Sequence, residues 1–285
     1  MSEDRQDPEK LVELAEGRSL EKRDGATVIR LRWGRLDLEA LTQTLVKAGH
    51  LCEPDAARLC FLSPGILADN IDPAVAAALA AALQAQGEPC VVVRAAELVP
   101  LPPATVVSHV ELSSTGLHPI VAGAAAEECP WQSATSLALA HIHLLGSKTI
   151  AEPTLGIIGH TLSSFVNVWG VPVEKIPMTM EVPTESLTAY LDLAFSTPVR
   201  RYRIQSDHFD FSLLGKQLQM TAEANIHDLA RWFLTAAPQV RTNVDAARLL
   251  ATNQAPLPQL SVPQFDDLTH WLLNLAHFGE KASEQ

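Results

Sequence analysis

The spacing of apolar positions divides the chain into short extended runs and longer helical stretches. Residues 27–33, 58–62, 89–94 and 105–112 read as strands. Between them, residues 36–48 place Leu38, Leu41, Leu45 and Val46 at helical spacing, and residues 74–86 are almost wholly alanine and leucine. Asp72 and Pro73 supply an N-cap acceptor and a first-turn proline for that second helix, and Gly87 follows its last turn. Residues 89–94 are apolar without interruption, which predicts burial on both faces as in a parallel sheet.

Residues 130–145 open on Pro130, carry Leu137, Leu139, Ala140, Leu144 and Leu145, and close on Gly146, so they read as a helix. Residues 154–177 then pass in immediate succession from an apolar run (155–158) through the turn Gly159-His160-Thr161 to helical spacing (162–169) and back to an extended run (171–176). That is a βαβ-like unit. The alternation of strands and crossover-length helices predicts an α/β fold with a mostly parallel sheet and flanking helices.

The pattern changes after Met180. Residues 184–195 read as a helix following Pro183, residues 199–205 and 216–224 as strands around a polar turn, and residues 226–236 as a helix capped by Asn225. With residues 175–181 counted as a strand, this is a smaller, partly ferredoxin-like α+β module. A short helix at 243–251, a proline-bearing linker at 252–263 and a last helix at 265–278 complete the chain. The last helix is amphipathic, with Phe265, Leu268, Trp271, Leu272, Leu275 and Phe278 on one stripe that must dock on this chain or on a partner. The expected organisation is a mobile N-terminal tail (1–25), an α/β domain (26–180), the α+β module (181–251) and the linker with the C-terminal helix (252–285).

Composition narrows the function classes. With 285 residues, 47% of them hydrophobic, the chain can bury a substantial core. A net charge of −12 and a pI near 5.2 leave no basic surplus for phosphates, so nucleic acid is not an expected partner. The one dense basic cluster, Arg200-Arg201-Tyr202-Arg203, reads as a solvated strand edge. The four cysteines, Cys52, Cys60, Cys90 and Cys129, form no CxxC pair, which fits a reducing cytoplasm. The N-terminus lacks a signal pattern and no run approaches about 18 apolar residues, so no membrane span is expected.

The best place for a ligand is the turn after residues 155–158. Backbone and hydroxyl donors at Gly159, His160, Thr161, Ser163 and Ser164 would suit a small anionic metabolite or nucleotide, with His160 as an acid or base. The glycine spacing matches neither a dinucleotide fingerprint nor a Walker loop, so no cofactor is assigned. Cys129, directly before Pro130, is a candidate nucleophile at a helix start, opposed by the carboxylates of Glu127 and Glu128. His109 and His118 are further polar candidates. His141 and His143 would diverge on a helix, and no metal-site spacing appears, so no metal is assigned. Asp207-His208-Phe209-Asp210 reads as a polar turn, and Ser63-Pro64-Gly65 lacks the glycine of a nucleophile elbow. Without a complete catalytic motif, the sequence points to a cytoplasmic non-catalytic or regulatory subunit that acts through protein–protein association, as a homo-oligomer or with a protein partner. The alternative is an enzyme or sensor at Gly159–Ser164.

Overall fold

The computed structural model describes residues 25–32, 37–49, 51–62, 65–121, 123–151, 179–252 and 257–283. Residues 1–24 of the expected N-terminal tail, the whole of the expected βαβ-like unit (154–177) and residues 253–256 of the expected linker lie outside the described residues.

The first layer is a helical cover on a small sheet. Strand β1 (Ala26–Arg30) is central, flanked by β2 (Ile66–Ile71) and β3 (Cys90–Arg94), and both neighbours run antiparallel to it. Helices α1 (Leu38–Gly49), α2 (Glu53–Leu62) and α3 (Pro73–Ala85) connect the strands. Helix α3 forms as its sequence predicts: Asp72 Oδ1 accepts from the Ala74 N–H at 2.7 Å, Pro73 sits in the first turn, and Ala76, Leu79, Ala80 and Leu83 are buried. Gly87 after it has φ of +74°, a conformation glycine adopts without strain. With Val28, Leu41, Leu45 and Leu67, these side chains make one core.

A second sheet, ordered β12-β9-β10-β11-β4, forms the centre of the molecule. It is built on a long antiparallel hairpin of β9 (Ala134–Ala151) and β10 (Thr179–Ser196), which pair residue for residue from Thr179↔Ala151 to Ala194↔Ser136. Strand β11 (Val199–Gln205) adds antiparallel to β10, and β4 (Ala104–Val106) adds parallel to β11. Two short strands, β12 (Arg241–Thr242) and β13 (Gln259–Leu260), run parallel to β9 along its other edge.

Each face of this sheet has its own core. Leu137, Leu139, Leu191, Leu193 and Phe195 face helix α4 (Ala222–Ala236) and helix α5 (Val244–Thr252), joined by residues of a third sheet made of β5 (His109–Leu112), β6 (Gly116–Val121), β7 (Ala124–Ala125) and β8 (Cys129–Pro130). Ala138, Ala140, Ile142 and Tyr190 face helix α6 (Val262–Ser283), which packs between this sheet and the first one, against Ile29 and Val93. The apolar stripe of α6 therefore docks on this chain. Trp271 ties the layers together, its Nε1–H donating to the Arg30 carbonyl at 2.8 Å. Gly65 is required beside it, because a Cβ there would lie 1.9 Å from the Trp271 ring.

These elements correct the expected fold class. The sheets are antiparallel or mixed, so the mostly parallel α/β sheet and the partly ferredoxin-like module do not describe this chain. Residues 134–151 and 179–196 form strands where helices were expected at 130–145 and 184–195, and 53–62 form a helix where 58–62 read as a strand. The expected strand at 216–224 is a 3₁₀ segment (Phe211–Gln217) followed by the start of α4. Its N-cap is Thr221, whose hydroxyl accepts from the Ala224 N–H at 3.2 Å, while Asn225 sits inside the helix. The run at 89–94 shows why the parallel expectation failed: β3 makes no parallel pair. The expected burial on both faces is not met either: Val93 is buried while Val92, on the opposite face, is 41% exposed, so an unbroken apolar run fixes neither the cover of a strand nor the direction of its neighbour.

Candidate functional site

The predicted ligand residues Gly159, His160, Thr161, Ser163 and Ser164 lie outside the described residues. The other polar candidates are placed, each in separate surroundings.

Cys129 is fully buried, its Sγ 3.6 Å from the Tyr202 hydroxyl and 3.8 Å from the Glu127 carbonyl. Burial pushes its thiol up, against the opposing pull of Tyr202 and Arg200, so the thiol is favoured over the nucleophilic thiolate at neutral pH. It also stands on strand β8 before a single 3₁₀ turn, not at the start of an α-helix. His109 Nδ1 lies 3.6 Å from Asp210 Oδ2, and His118 Nε2 lies 3.6 Å from Glu128 Oε1. Glu128 also accepts from the hydroxyls of Ser113 and Thr115, which hold its carboxyl below its ordinary value.

His141 and His143 sit on one strand, so the i, i+2 spacing gives them a common face. They do not share a partner. His141 Nε2 is 3.0 Å from Glu223 Oε1 on α4, and His143 Nε2 is 3.0 Å from Gln259 Oε1 on β13. Beside Glu223, half-buried His227 has an Nε2 without a hydrogen-bond partner, and burial holds its imidazole below the ordinary value. Gln219, Glu223, His227, Asp228 and Arg231 line a surface depression of about 500 Å³ there. No group of three or more His, Cys, Asp or Glu suited to a metal ion occurs among the described residues.

The basic cluster proves structural. Arg201 and Arg203 alternate with Tyr202 on β11 and so point to one face, where both are buried against Asp192 of β10, itself fully buried. Arg201 Nε donates to Asp192 Oδ2 at 2.7 Å, Arg203 Nε donates to Oδ1 at 2.8 Å, and the Thr269 hydroxyl donates at 3.2 Å. Both guanidiniums also reach Asp266 Oδ1, at 2.5 and 2.6 Å. Burial would raise the Asp266 carboxyl, but the two arginines outweigh it and hold it low. The group fastens α6 to the sheet and presents no charge for a ligand.

What remains is a backbone site on the long hairpin. Along β9 the N–H and C=O groups alternate between β10 and the opposite edge, and two contacts fix which residues face outward. The Leu139 N–H donates to Asn243 Oδ1 at 3.0 Å while Asn243 Nδ2 donates back to the Leu139 carbonyl at 3.1 Å, and the His141 N–H donates to the Pro258 carbonyl at 2.9 Å. Odd-numbered residues of β9 therefore face away from β10. On β10 the outward residues are also odd-numbered, since the Ala189 N–H donates to Ser206 Oγ and its carbonyl accepts from the Ser206 N–H.

Beyond Ile142 on β9 and Ala189 on β10, no third strand pairs with the hairpin among the described residues. Residues 143–151 and 179–188 continue as a two-stranded ribbon about 30 Å long at ~3.3 Å per residue. Both its edges carry outward backbone groups. The chain matches no family model, no curated protein and no solved structure. The functional reading therefore rests on this geometry alone.

Sequence reasoning missed the ribbon because 130–145 and 184–195 were read as helices. One signal for strand β10 is present: Leu187, Ala189, Leu191, Leu193 and Phe195 are apolar at every second position, which is strand spacing, though of these Leu187 alone falls in the ribbon.

Proposed function

We propose that this protein is a non-catalytic or regulatory subunit that works by association, with the β9–β10 ribbon as the element that engages the partner. The carrying observation is the ribbon itself. An isolated two-stranded hairpin is marginal in water, and a strand edge with unpaired N–H and C=O groups is a template for another strand. A chain that keeps such a ribbon beyond its sheet has a use for the edge, and adding a strand there is a general mode of protein recognition.

The side chains support this reading. Cys129 is buried with its thiol raised, and Arg201 and Arg203 are committed to Asp192 and Asp266. No helix among the described residues is long and apolar enough to cross a membrane. We place the subunit in the cytoplasm, supported by Cys52, Cys90 and Cys129, which are free thiols.

Light scattering on the full chain, alone and as recovered from its host, tests the proposal. The expected result is a mass above the 30.8 kDa of one chain. A strict monomer with no bound protein in both preparations would contradict it.

A further inference from the structure

Resting on the association reading, we infer that the partner of the ribbon is a second copy of this chain, paired edge to edge along β9 in antiparallel register centred on Ser147.

The two edges of the ribbon are not equivalent. On β10 the outward positions beyond the sheet are Thr179, Glu181, Pro183, Glu185 and Leu187. Pro183 has no N–H, so the middle donor of that row is missing, and an outward proline is a device that closes an edge to pairing. It costs no bond to β9, since its nitrogen faces away. On β9 the outward positions are His143, Leu145, Ser147, Thr149 and Ala151, and every one has both an N–H and a carbonyl. Among the described residues the β9 edge is the open one.

That edge is complementary to itself. A two-fold axis normal to the ribbon brings two β9 strands together antiparallel, which is the only way a symmetric pair of identical strands in one sheet can meet. With Ser147 at the axis, His143 faces Ala151 of the second copy, Leu145 faces Thr149, and Ser147 faces its own counterpart. Ser147 and its counterpart, and each Leu145–Thr149 pair, exchange both backbone bonds, whereas His143, whose N–H already faces the Leu260 carbonyl in the ladder with β13, offers Ala151 its carbonyl alone. The register uses the outward groups from the His143 carbonyl to Ala151 and ends where β13 occupies the edge, at Ile142 and the His143 N–H. The result is a continuous four-stranded sheet that closes on two copies and leaves outside, among the described residues, the two β10 edges blunted by Pro183.

Charge favours the same edge. Each copy carries a net charge of −12, and residues 143–151 contain Lys148 and no acidic residue, whereas 179–188 contain Glu181 and Glu185. Two acidic chains meet with least repulsion along β9.

Two variants and a cross-link test this on the full chain. Wild type and Glu185→Pro, which alters the closed edge, are expected at twice the 30.8 kDa chain mass by light scattering. Ser147→Pro is expected at the single-chain mass with an unchanged far-UV circular dichroism spectrum, its melt lowered only by the stabilisation that association gives wild type. Proline already stands outward at Pro183, the residue paired with Ser147, so the hairpin tolerates it at this level. Should Ser147→Pro not fold, S147C in a Cys52→Ser background decides. The paired α-carbons lie about 5.5 Å apart in such a ladder, within disulfide reach, so mild oxidation yields a covalent dimer that Cys52→Ser alone does not. A doubled mass that survives folded Ser147→Pro, or no cross-link from folded S147C, overturns the inference and leaves association standing. A monomeric wild type that forms an equimolar complex with a different host protein also overturns the second copy alone. A wild type that is monomeric and partnerless overturns both.

Discussion

From residue 134 to 142, strand β9 lies between two cores, with β10 on one edge and β12, Asn243 and β13 on the other. Beyond His143, which β13 still touches through Gln259, the same strand keeps its register with β10 to residue 151 and pairs with no further strand on its outer edge among the described residues. Two stretches of one strand thus share a backbone conformation and differ in what completes them. In the inner stretch the outward N–H and C=O groups are satisfied within the fold; in the outer stretch they are offered to a partner. Changes in the inner stretch should therefore lower stability, and changes in the outer one should lower association at little cost in stability.

The largest effect is expected at the base of the hairpin. Replacing Asp192 with Ala leaves Arg201 and Arg203 buried with the half-buried Asp266 as their one shared carboxylate, and removing one partner of a buried ion pair costs about 3–5 kcal/mol. Urea unfolding followed by circular dichroism should show that loss. A change under about 1 kcal/mol would mean the cluster does not fasten α6 to the sheet. Asn243→Ala comes next. It removes both bonds to the Leu139 backbone and leaves those groups buried and unsatisfied, at about 1–3 kcal/mol per orphaned group. The same urea titration measures it, and a neutral result would place water in the vacated position.

Acid should weaken the inner region by a graded amount. Burial would raise Glu88, but bonds from Arg30 and Arg32 hold its carboxyl low, as Arg201 and Arg203 do for Asp266. The stability from these depressed carboxyls is present above the unfolded value near 4 and is lost as pH falls through the folded one. His227 acts in the same direction. Its imidazole is depressed by burial, so below about 6.5 the unfolded chain takes a proton that the folded chain refuses. Burial raises the carboxyl of Asp267, which opposes the trend, yet this residue is exposed and solvent screens its contribution. The urea midpoint should therefore begin to fall below about pH 6.5 through His227 and fall further below about pH 4.5 as Glu88 and Asp266 take up protons, and a profile flat from about pH 7.5 to about pH 3 would show that these shifts are not coupled to folding. The smallest stability effect belongs to the outer stretch: in protein dilute enough for wild type to be dissociated, Ser147→Pro should change the unfolding free energy by less than about 0.5 kcal/mol, while at higher concentration it abolishes the doubled mass.

The helices that border the first sheet were legible because their signals are local. Asp72-Pro73 and the alanine-leucine face of α3 act within a few residues, and the stripe from Phe265 to Phe278 fixes a helix face wherever it docks. Strand β9 was not legible, because burial on both faces removes the alternation that marks a strand. Leu137, Ala140 and Leu144 then match a helical period as well as Leu137 and Leu139 match a strand. In β10 the alternation was there, but Pro183 suggested a helix start, whereas the structure uses it as an outward proline on a strand edge. The burial of Arg201 and Arg203 depends on Asp192, a pairing that exists only once the strands are in register. An open edge is least legible of all, since it is defined by neighbours that stop short.

The most direct test of the ribbon as the association element is hydrogen exchange by mass spectrometry on the full chain over a range of concentrations. Peptides covering 143–151 should exchange quickly in dilute protein and become protected as concentration rises, while peptides covering 134–142 stay protected throughout. Exchange of 143–151 that is slow and independent of concentration would show that the chain covers this edge itself. Exchange that stays fast at every concentration would show that a second copy does not cover it. Either result would contradict the pairing of two copies along β9.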